Sequence, residues 1–400
     1  ETAMANTLLT PRFYTTDFDE LDAIDVSDIR EEWDELIAQM EQFYSGMQGV
    51  GYGKGVDHYT IELAVANESD DIVLYVAVPD EFITLFEKQI LSLFPKAVIT
   101  EQQHDYNIFV DGGDHALAIA TLKKHPIYPL RYGEEFQSDP LMVLLNAFSK
   151  IERDGGGAAV QLIIKPSKHT KLENFHKIIE RVENGMKPKD SIAKSTLGGD
   201  MMFAMKDMFM GGTNKSTEEA PPVDSEALQF FRRKIEYHLV DVNLRIAVSA
   251  NTAARAEQIL GQIEATFNQF QKIQANELNF TRLKGSPLRR GIKAFSFREF
   301  VPKHALTLSE LELATLFHFP DGKLGMAPQY KQSYAKTAAA PTDMPSEGTL
   351  LGINKHRGSE KDIFVTEKDR MRHFYIIGQT GTGKSVFMQN LIVQDIQVIC

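Results

Sequence analysis

The residues best suited to chemistry lie near the C-terminal end, where eight consecutive positions fit the phosphate-binding pattern G-x-x-x-x-G-K-[ST]. They are Gly378, Gln379, Thr380, Gly381, Thr382, Gly383, Lys384 and Ser385. Glycine permits the turns that point backbone N–H groups at a phosphate, and a following helix adds its partial positive charge. In this pattern Lys384 reaches the β- and γ-phosphates as the catalytic cation, and Ser385 places its hydroxyl on Mg²⁺. The pattern predicts ATP and Mg²⁺ as ligands.

The segments on either side of this loop have the patterns that its chemistry needs. Residues 374–377 form an apolar, strand-like run before the loop, and apolar residues recur at helical spacing after it. These are Val386, Phe387, Leu391 and Ile392. Strand, glycine loop and helix in this order predict a phosphate-binding loop. The alternative is a chance match in a turn rich in Gly and Thr.

Composition indicates an intracellular protein with more than one core. The chain has 400 residues, is 43% hydrophobic, and contains one cysteine, which excludes a disulfide scaffold. No apolar run approaches the roughly 20 residues that span a bilayer. The first thirty residues are acidic and lack the apolar centre of a secretory signal. We therefore expect a soluble protein in the cytoplasm.

The net charge of −12 comes almost entirely from one end of the chain. Residues 1–41 hold twelve acids against Arg12 and Arg30, a balance of −10, which leaves about −2 for the other 359 residues. Within this tail, residues 10–19, 24–27 and 31–36 resemble the N-terminal leader of the aerobic magnesium-protoporphyrin IX monomethyl ester oxidative cyclases. We interpret residues 1–40 as a foreign or disordered leader whose seam lies near residues 39–42. The alternative is a native extension that ends in a helix over residues 29–44.

The cyclase resemblance implies a di-iron carboxylate site, which needs Glu-x-x-His pairs on facing helices. Two such pairs occur in the sequence. Glu101 and His104 follow a β-rich run, where side chains three positions apart cannot face one metal. Glu173 and His176 lie on a predicted helix that has no partner set. A di-iron site is therefore not favoured.

The body of the chain alternates strand-like and helical patterns in three β-α units. Strands are predicted at 71–78, 158–164 and 244–248, each followed by a helix at 80–94, 171–182 and 253–270. Closing strands are predicted at 97–100 and 277–283. This order predicts an α+β scaffold of small split β-α-β sheets with helices on one face, followed by the start of an α/β P-loop NTPase domain.

Changes in composition divide the chain into six segments. They are an acidic leader (1–40), a scaffold unit (41–183), a linker (184–225), a second scaffold unit (226–332), a linker rich in Ala, Pro, Thr and Ser (333–348) and the start of the nucleotide domain (349–400). The first linker contains a Met-rich run at 200–210. Two interpretations stay open for this run, a soft apolar helix that docks on a membrane or partner protein and a loosely packed insert, which is preferred.

A basic stretch with interleaved aromatic residues lies in the second scaffold unit. Its members are Arg282, Lys284, Arg289, Arg290, Lys293, Arg298 and Lys303, offset by Glu299, with Phe295, Phe297 and Phe300 between them. Cations for phosphates and rings for bases are what contact with nucleic acid needs. The alternation of Phe295 and Phe297 is also typical of a half-buried strand, and that interpretation is favoured.

Residues 308–320, 351–358 and 369–385, the last of which contain the phosphate loop, carry a family resemblance. They resemble the ATPases of bacterial type IV secretion and conjugative DNA transfer, within the HerA/FtsK class of translocation motors. The resemblance extends over about residues 41–396. It implies a homo-oligomeric ring, usually a hexamer, at the cytoplasmic face of the cell membrane, where ATP hydrolysis moves DNA or protein through a channel. It also implies secretion-channel components as partners and allows DNA binding and peripheral membrane association.

Three hypotheses of different classes follow from these patterns. The favoured one is the translocation ATPase, and the second is a nucleotide-binding assembly subunit that does not hydrolyse ATP. The third, from the tail alone, is a fragment of the cyclase. A second acidic motif downstream in the longer reading frame would distinguish the first hypothesis from the second.

We expect residues 1–400 to bind ATP without turning it over. Hydrolysis also needs an acidic residue at the end of a second strand to hold Mg²⁺, and only fifteen residues follow Ser385. A steady-state phosphate-release assay should show turnover only when a downstream motor domain is present. Turnover by residues 1–400 that Lys384→Ala abolishes would contradict this expectation.

Overall fold

A computed structural model of the chain divides into two compact units, Glu1–Ser333 and Tyr334–Cys400. The structure describes residues 4–11, 26–52, 56–69, 71–95, 97–102, 104–151, 156–195, 224–320, 340, 344–356, 359–372, 375–376 and 383–399.

The first unit is built on a nine-stranded sheet in which every described strand pair is antiparallel. The strands are β1 (Met4–Pro11), β2 (Tyr59–Val65), β3 (Ile72–Pro79), β4 (Ala97–Gln102), β5 (Asp114–Leu122), β6 (Gly156–Pro166), β7 (Leu239–Ala250), β8 (Leu278–Arg282) and β9 (Leu306–Ser309). They lie in the order β4-β1-β3-β2-β6-β7-β5-β8, and β9 pairs with the first residues of β7.

Nine α-helices are described in this unit. They are α1 (Val26–Gly46), α2 (Ile83–Leu93), α3 (Leu141–Phe148), α4 (His169–Glu183), α5 (Pro188–Ser195), α6 (Ser225–Ile235), α7 (Ala253–Thr266), α8 (Gly285–Ser296) and α9 (Glu310–Leu316). Short 3₁₀ turns lie at Met47–Tyr52, Asp80–Phe82, Gly133–Glu135, Phe267–Phe270 and Pro302–His304.

The strand order shows two halves of one topology. Strands β1 to β4 lie in the order 4-1-3-2, with α1 and α2 as the crossover helices. Strands β5 to β8 lie in the order 8-5-7-6, with α3 and α7 in the corresponding places and α4 to α6 inserted before β7. Each half is a split β-α-β arrangement of the ferredoxin-like kind. The two halves join where β2 pairs with β6.

Both faces of the sheet are covered, which explains why its central strands are buried along their whole length. The larger apolar cluster lies between one face and residues of α1, α2, α3, α7 and α9. A smaller cluster on the other face joins Ala64, Ala159 and Ala247 to Ile108 and Phe295. A third cluster packs α4 against α6.

The predicted alternation of strands and helices is present, but its assembly differs from the expectation. Strands β3, β6 and β7 are followed by helices α2, α4 and α7 as the pattern predicts. The sequence predicts separate small sheets in 41–183 and 226–332, whereas β6 pairs with β7 from Gly156↔Ala250 to Pro166↔Val240 and makes one sheet. An unpaired edge strand exposes a row of hydrogen-bonding groups, and this pairing satisfies them.

Two further expectations concern the first linker and the basic stretch. The predicted linker 184–225 begins with the helix α5, and its Met-rich run at 200–210 lies outside the described residues. Residues 285–296, the middle of the basic stretch, form the helix α8 rather than the favoured half-buried strand. Leu288, Ile292 and Phe295 recur at helical spacing and form the packed face of α8. This spacing explains why the segment is a helix and not a strand.

The second unit contains a β-hairpin and two helices among its described residues. The antiparallel hairpin consists of β10 (Thr349–His356) and β11 (Ser359–Val365). One turn of helix, α10 (Glu367–Arg370), follows the hairpin, and the sixteen-residue α11 (Lys384–Ile399) comes after the loop segment.

Residues 26–40 of the segment interpreted as a foreign or disordered leader form most of α1. Trp33 and Met40 on this helix are buried in the larger apolar cluster, while Glu31 and Glu35 are exposed. Trp33 donates a hydrogen bond from Nε1 to the carbonyl oxygen of Gly133 at 2.9 Å. The acidic residues form the solvent face of an amphipathic helix, so the charge of the segment does not make it disordered. The backbone of β1 also pairs with β3 and β4.

We expect a chain shortened to begin at Glu41 to lose the fold of the first unit, because it lacks β1 and most of α1. Trp33→Ala in the full chain should lower the free energy of unfolding by about 3–5 kcal/mol, because it leaves a cavity and an unpaired carbonyl. Urea unfolding followed by circular dichroism measures this change. Glu31→Ala, on the exposed face of the same helix, is the control. An unchanged midpoint for the shortened chain would contradict the assignment.

Candidate functional site

The described part of the phosphate-loop segment begins at Gly383. This glycine has φ of +87°, in the left-handed region that glycine adopts without a steric penalty. Helix α11 starts at the next residue, Lys384, and the first helical bond runs from Phe387 N–H to the Gly383 carbonyl at 2.9 Å. Ser385 is exposed on the first turn. Gly378, Gln379, Thr380, Gly381 and Thr382 lie outside the described residues, as do residues 374 and 377 of the predicted strand.

Polar side chains hold α11 against the hairpin of the second unit. Gln394 exchanges two hydrogen bonds with the backbone of Leu350, at 2.9 and 3.0 Å. Arg370 makes a bidentate pair with Asp395, with Nη2 at 2.8 Å from Oδ2, and it also donates to Thr349 Oγ1 at 2.9 Å. The hydrogen bond to Asp395 raises the pKa of Arg370 and lowers that of the carboxyl. These contacts hold the C-terminal half of α11 against β10 and α10.

The two Glu-x-x-His pairs do not form a metal site in the described structure. Glu101 is exposed near the end of β4, and His104 follows in an exposed bend. Glu173 and His176 are both exposed on α4, where Glu173 lies 3.2 Å from His169. Across the described ranges, no cluster of three or more His, Cys, Asp or Glu side chains could hold a metal ion.

The first unit contains a cleft of about 850 Å³ that sequence reasoning did not find. Its walls come from α1, the β6–α4 connection, the α6–β7 connection and the start of α9. The polar side chains that line it are Glu41, Ser45, Gln48, Asp57, Lys165, Ser167, Lys168, His169, Glu236, Tyr237, His238 and Glu310. A titratable group with a perturbed pKa in a cleft is a general sign of a functional site.

A strongly perturbed group in this cleft is Glu310. Only 2% of the residue is exposed, and its Oε1 accepts a hydrogen bond from Gln48 Nε2 at 2.7 Å. Burial raises the pKa of the Glu310 carboxyl to about 7, with a further rise from the charge of Glu41 and an opposing effect of Gln48. A carboxyl with this pKa exchanges its proton near neutral pH. The sequence signal nearby is the capping box of Ser309 and Glu312, which predicts the helix start but not the burial of Glu310.

Comparison with known proteins gives two findings. Residues 21–332 match the family described as "Domain of unknown function (DUF8128)", and the chain belongs to this family. A 39-residue stretch is 59% identical to an aerobic magnesium-protoporphyrin IX monomethyl ester [oxidative] cyclase from Rubrivivax gelatinosus. That stretch is 10% of this chain and 11% of the cyclase, so the chain spans about a tenth of the length of this relative.

The two findings differ in how much of the chain they cover. The family match contains all of β2 to β9 and the whole of α1, and it ends before the phosphate loop. The resemblance to the cyclase extends no further than a short stretch. In the described part of the chain, no helix is long and apolar enough to cross a membrane.

The titration of Glu310 should make the first unit less stable as pH rises. The folded-state pKa of about 7 exceeds the ordinary 4.5, so the folded state binds more protons than the unfolded state between these values. This group therefore stabilises the fold fully below about pH 4.5, and its contribution is lost as pH rises through 7. Glu310→Gln should remove up to about 3 kcal/mol of that pH dependence.

Urea titrations from pH 4.5 to 8, followed by fluorescence of Trp33, the single tryptophan, measure this effect. Glu87→Gln, an exposed position on α2, is the matched control. A difference between Glu310→Gln and wild type that does not change with pH would contradict the prediction.

Proposed function

We propose that the chain binds Mg·ATP through residues 378–385 and forms the N-terminal part of a motor ATPase of the secretion and conjugation class. The observation that carries nucleotide binding is the conformation of Gly383 directly before a helix that starts at Lys384. The sequence pattern requires a glycine at this position and a helix after it.

The described residues fit a bound phosphate group. A helix of sixteen residues directs its first N–H groups and its partial positive charge toward the loop. Lys384, the first residue of this helix, would supply a cation to the phosphates, and the exposed Ser385 hydroxyl would offer one ligand to Mg²⁺. Bound Mg²⁺ would neutralise charge that develops between the β- and γ-phosphates.

The wider motor assignment rests on the family resemblance of residues 308–320, 351–358 and 369–385. It is supported by the apolar surface of α11, where Val386, Met388, Ile392, Val393 and Ile396 are each more than half exposed. A helix with this surface is typical of a nucleotide domain in which further strands and helices cover it. The proposal includes a homo-oligomeric ring, with secretion-channel components as partners and DNA or protein as the transported substrate.

Two other functions predict different outcomes. A non-hydrolysing assembly subunit would bind nucleotide equally well, and a longer reading frame without a second acidic motif would favour it. The similarity to the cyclase favours a common origin of one short stretch. The described residues hold no cluster of metal ligands that would support the di-iron chemistry of a cyclase fragment.

Lys384→Ala should weaken Mg·ATP binding by about 10- to 100-fold, because the phosphates lose a charge-assisted hydrogen bond while the backbone N–H groups remain. Calorimetric titration measures the change. Lys368→Ala, an exposed lysine on α10 of the same unit, is the matched control and should bind as wild type does. Equal affinities for Lys384→Ala and Lys368→Ala would refute nucleotide binding by this loop.

A further inference from the structure

Helix α8 has a packed face and a solvent face of contrasting chemistry. Leu288, Ile292 and Phe295 face the small apolar cluster on the sheet. At Gly291 an added Cβ would lie 2.7 Å from Leu283 and 2.8 Å from Leu117, so the helix approaches its support closely. The apolar stripe is therefore used for packing within the first unit.

The solvent face of α8 is basic. Lys284, Arg289, Arg290 and Lys293 are exposed, and residues 284–298 contain no Asp or Glu. Lys293 lies four positions after Arg289 and three after Arg290, so it neighbours both arginines on the surface of the helix. Among the residues that the structure describes, none of these four cations has a carboxylate partner. We call Lys284, Arg289, Arg290, Lys293 and Phe297 the α8 surface.

Phe297 adds an aromatic ring to this surface. The residue is 68% exposed directly after the helix, and the Lys293 ammonium lies 5.9 Å from the centre of its ring. The Phe297 ring is exposed to solvent beside cations that have no described carboxylate partner, whereas Phe295 is 5% exposed in the core. Base stacking uses an exposed ring of this kind.

Two other cations of the basic stretch have structural partners. Arg282 pairs with Glu257 at 2.8 Å and Glu264 at 2.6 Å. Arg298 is buried against Glu62 and Asp105, at 2.8 and 2.7 Å. Arg282 and Arg298 therefore stabilise the fold, whereas the cations of the α8 surface are exposed to solvent.

We propose that the α8 surface binds single-stranded nucleic acid, with its cations on the phosphates and the Phe297 ring under an unpaired base. The charge of the surface selects a polyanion, and the ring favours one that has accessible bases. An anionic membrane would need an apolar face to insert, and the apolar stripe of α8 is packed on the sheet. The proposal rests on the first unit and does not depend on the phosphate loop.

Fluorescence anisotropy with a labelled 20-nucleotide oligothymidine and the full chain tests the cationic part. Replacing Arg289, Arg290 and Lys293 together by Gln should weaken binding by at least tenfold at about 0.1 M salt. It should also make the slope of log K against log salt shallower by about 2, since each phosphate contact contributes about 0.7. The matched control replaces Lys88, Lys177 and Lys189, which are exposed on α2, α4 and α5, and should keep both values.

The aromatic part is tested by Phe297→Ala, which should weaken binding by about tenfold and leave the salt slope unchanged. Ile273→Ala, at a position that is 82% exposed, is its control. Lys384→Ala should bind the oligonucleotide as wild type does, so failure of nucleotide binding leaves this test intact. Equal affinity of the triple variant and its control would overturn the proposal. Equal affinity for single strand and duplex, or preferred binding to anionic vesicles, would also overturn it.

Discussion

The pairing of β2 with β6 is the contact on which the rest of the first unit depends, because it joins two four-stranded halves that would otherwise each expose an edge. A row of polar side chains crosses this junction inside the protein. Glu62 on β2 accepts from Gln161 Nε2 on β6 at 2.6 Å, and Gln161 Oε1 accepts from Arg245 Nη1 on β7 at 3.1 Å. Buried polar groups of this kind are tolerated only when each has a partner. The row therefore restricts which residues can face one another across the junction.

The requirement that buried polar groups have partners also positions the end of α8 and Arg298, which follows it. Arg298 adopts a left-handed φ of +52° and donates to Glu62 at 2.8 and 3.1 Å. Burial lowers the pKa of Arg298, but the charges of Glu62 and Asp105 outweigh it and hold the pKa above its ordinary value. Arg245 and Gln161 donate to the carbonyls of Ala294 and Phe295 at the end of α8. Donors at the last carbonyls of a helix satisfy groups that the helix itself leaves unpaired. Helix α8 is thereby fixed with its basic side toward solvent.

The two units carry different parts of the proposed function. The first unit holds the family match, the cleft around Glu310 and the α8 surface. The second unit holds α11, whose C-terminal half is joined to β10 by Gln394 and to α10 by the pair of Asp395 with Arg370. A phosphate loop needs little more than a rigid strand, a glycine turn and a helix end, so a small unit can present it. The proposed motor combines this loop with a scaffold of duplicated topology.

Local patterns in the sequence determined those helices and turns that depend only on residues close together in the chain. Spacing predicts the helices after β3, β6 and β7, and the glycine pattern predicts a turn before a helix at Lys384, because these features depend on neighbouring residues alone. Only the tertiary structure decided how the strands combine, since antiparallel pairing of β2 with β6 joins residues about a hundred positions apart.

Tertiary contacts also decide which charged side chains are paired and which stay exposed to solvent. Arg298 and Arg289 belong to one basic stretch in the sequence. Arg298 is buried in an ion pair with Glu62, whereas Arg289 is exposed and has no carboxylate partner among the described residues. The acidity of residues 1–41 suggested a foreign or disordered leader, but Trp33 lies in the core because acids such as Glu31 and Glu35 occupy the exposed side of α1. A linear sequence shows which charges are present. The folded chain decides which of them find partners, because those partners come from distant strands.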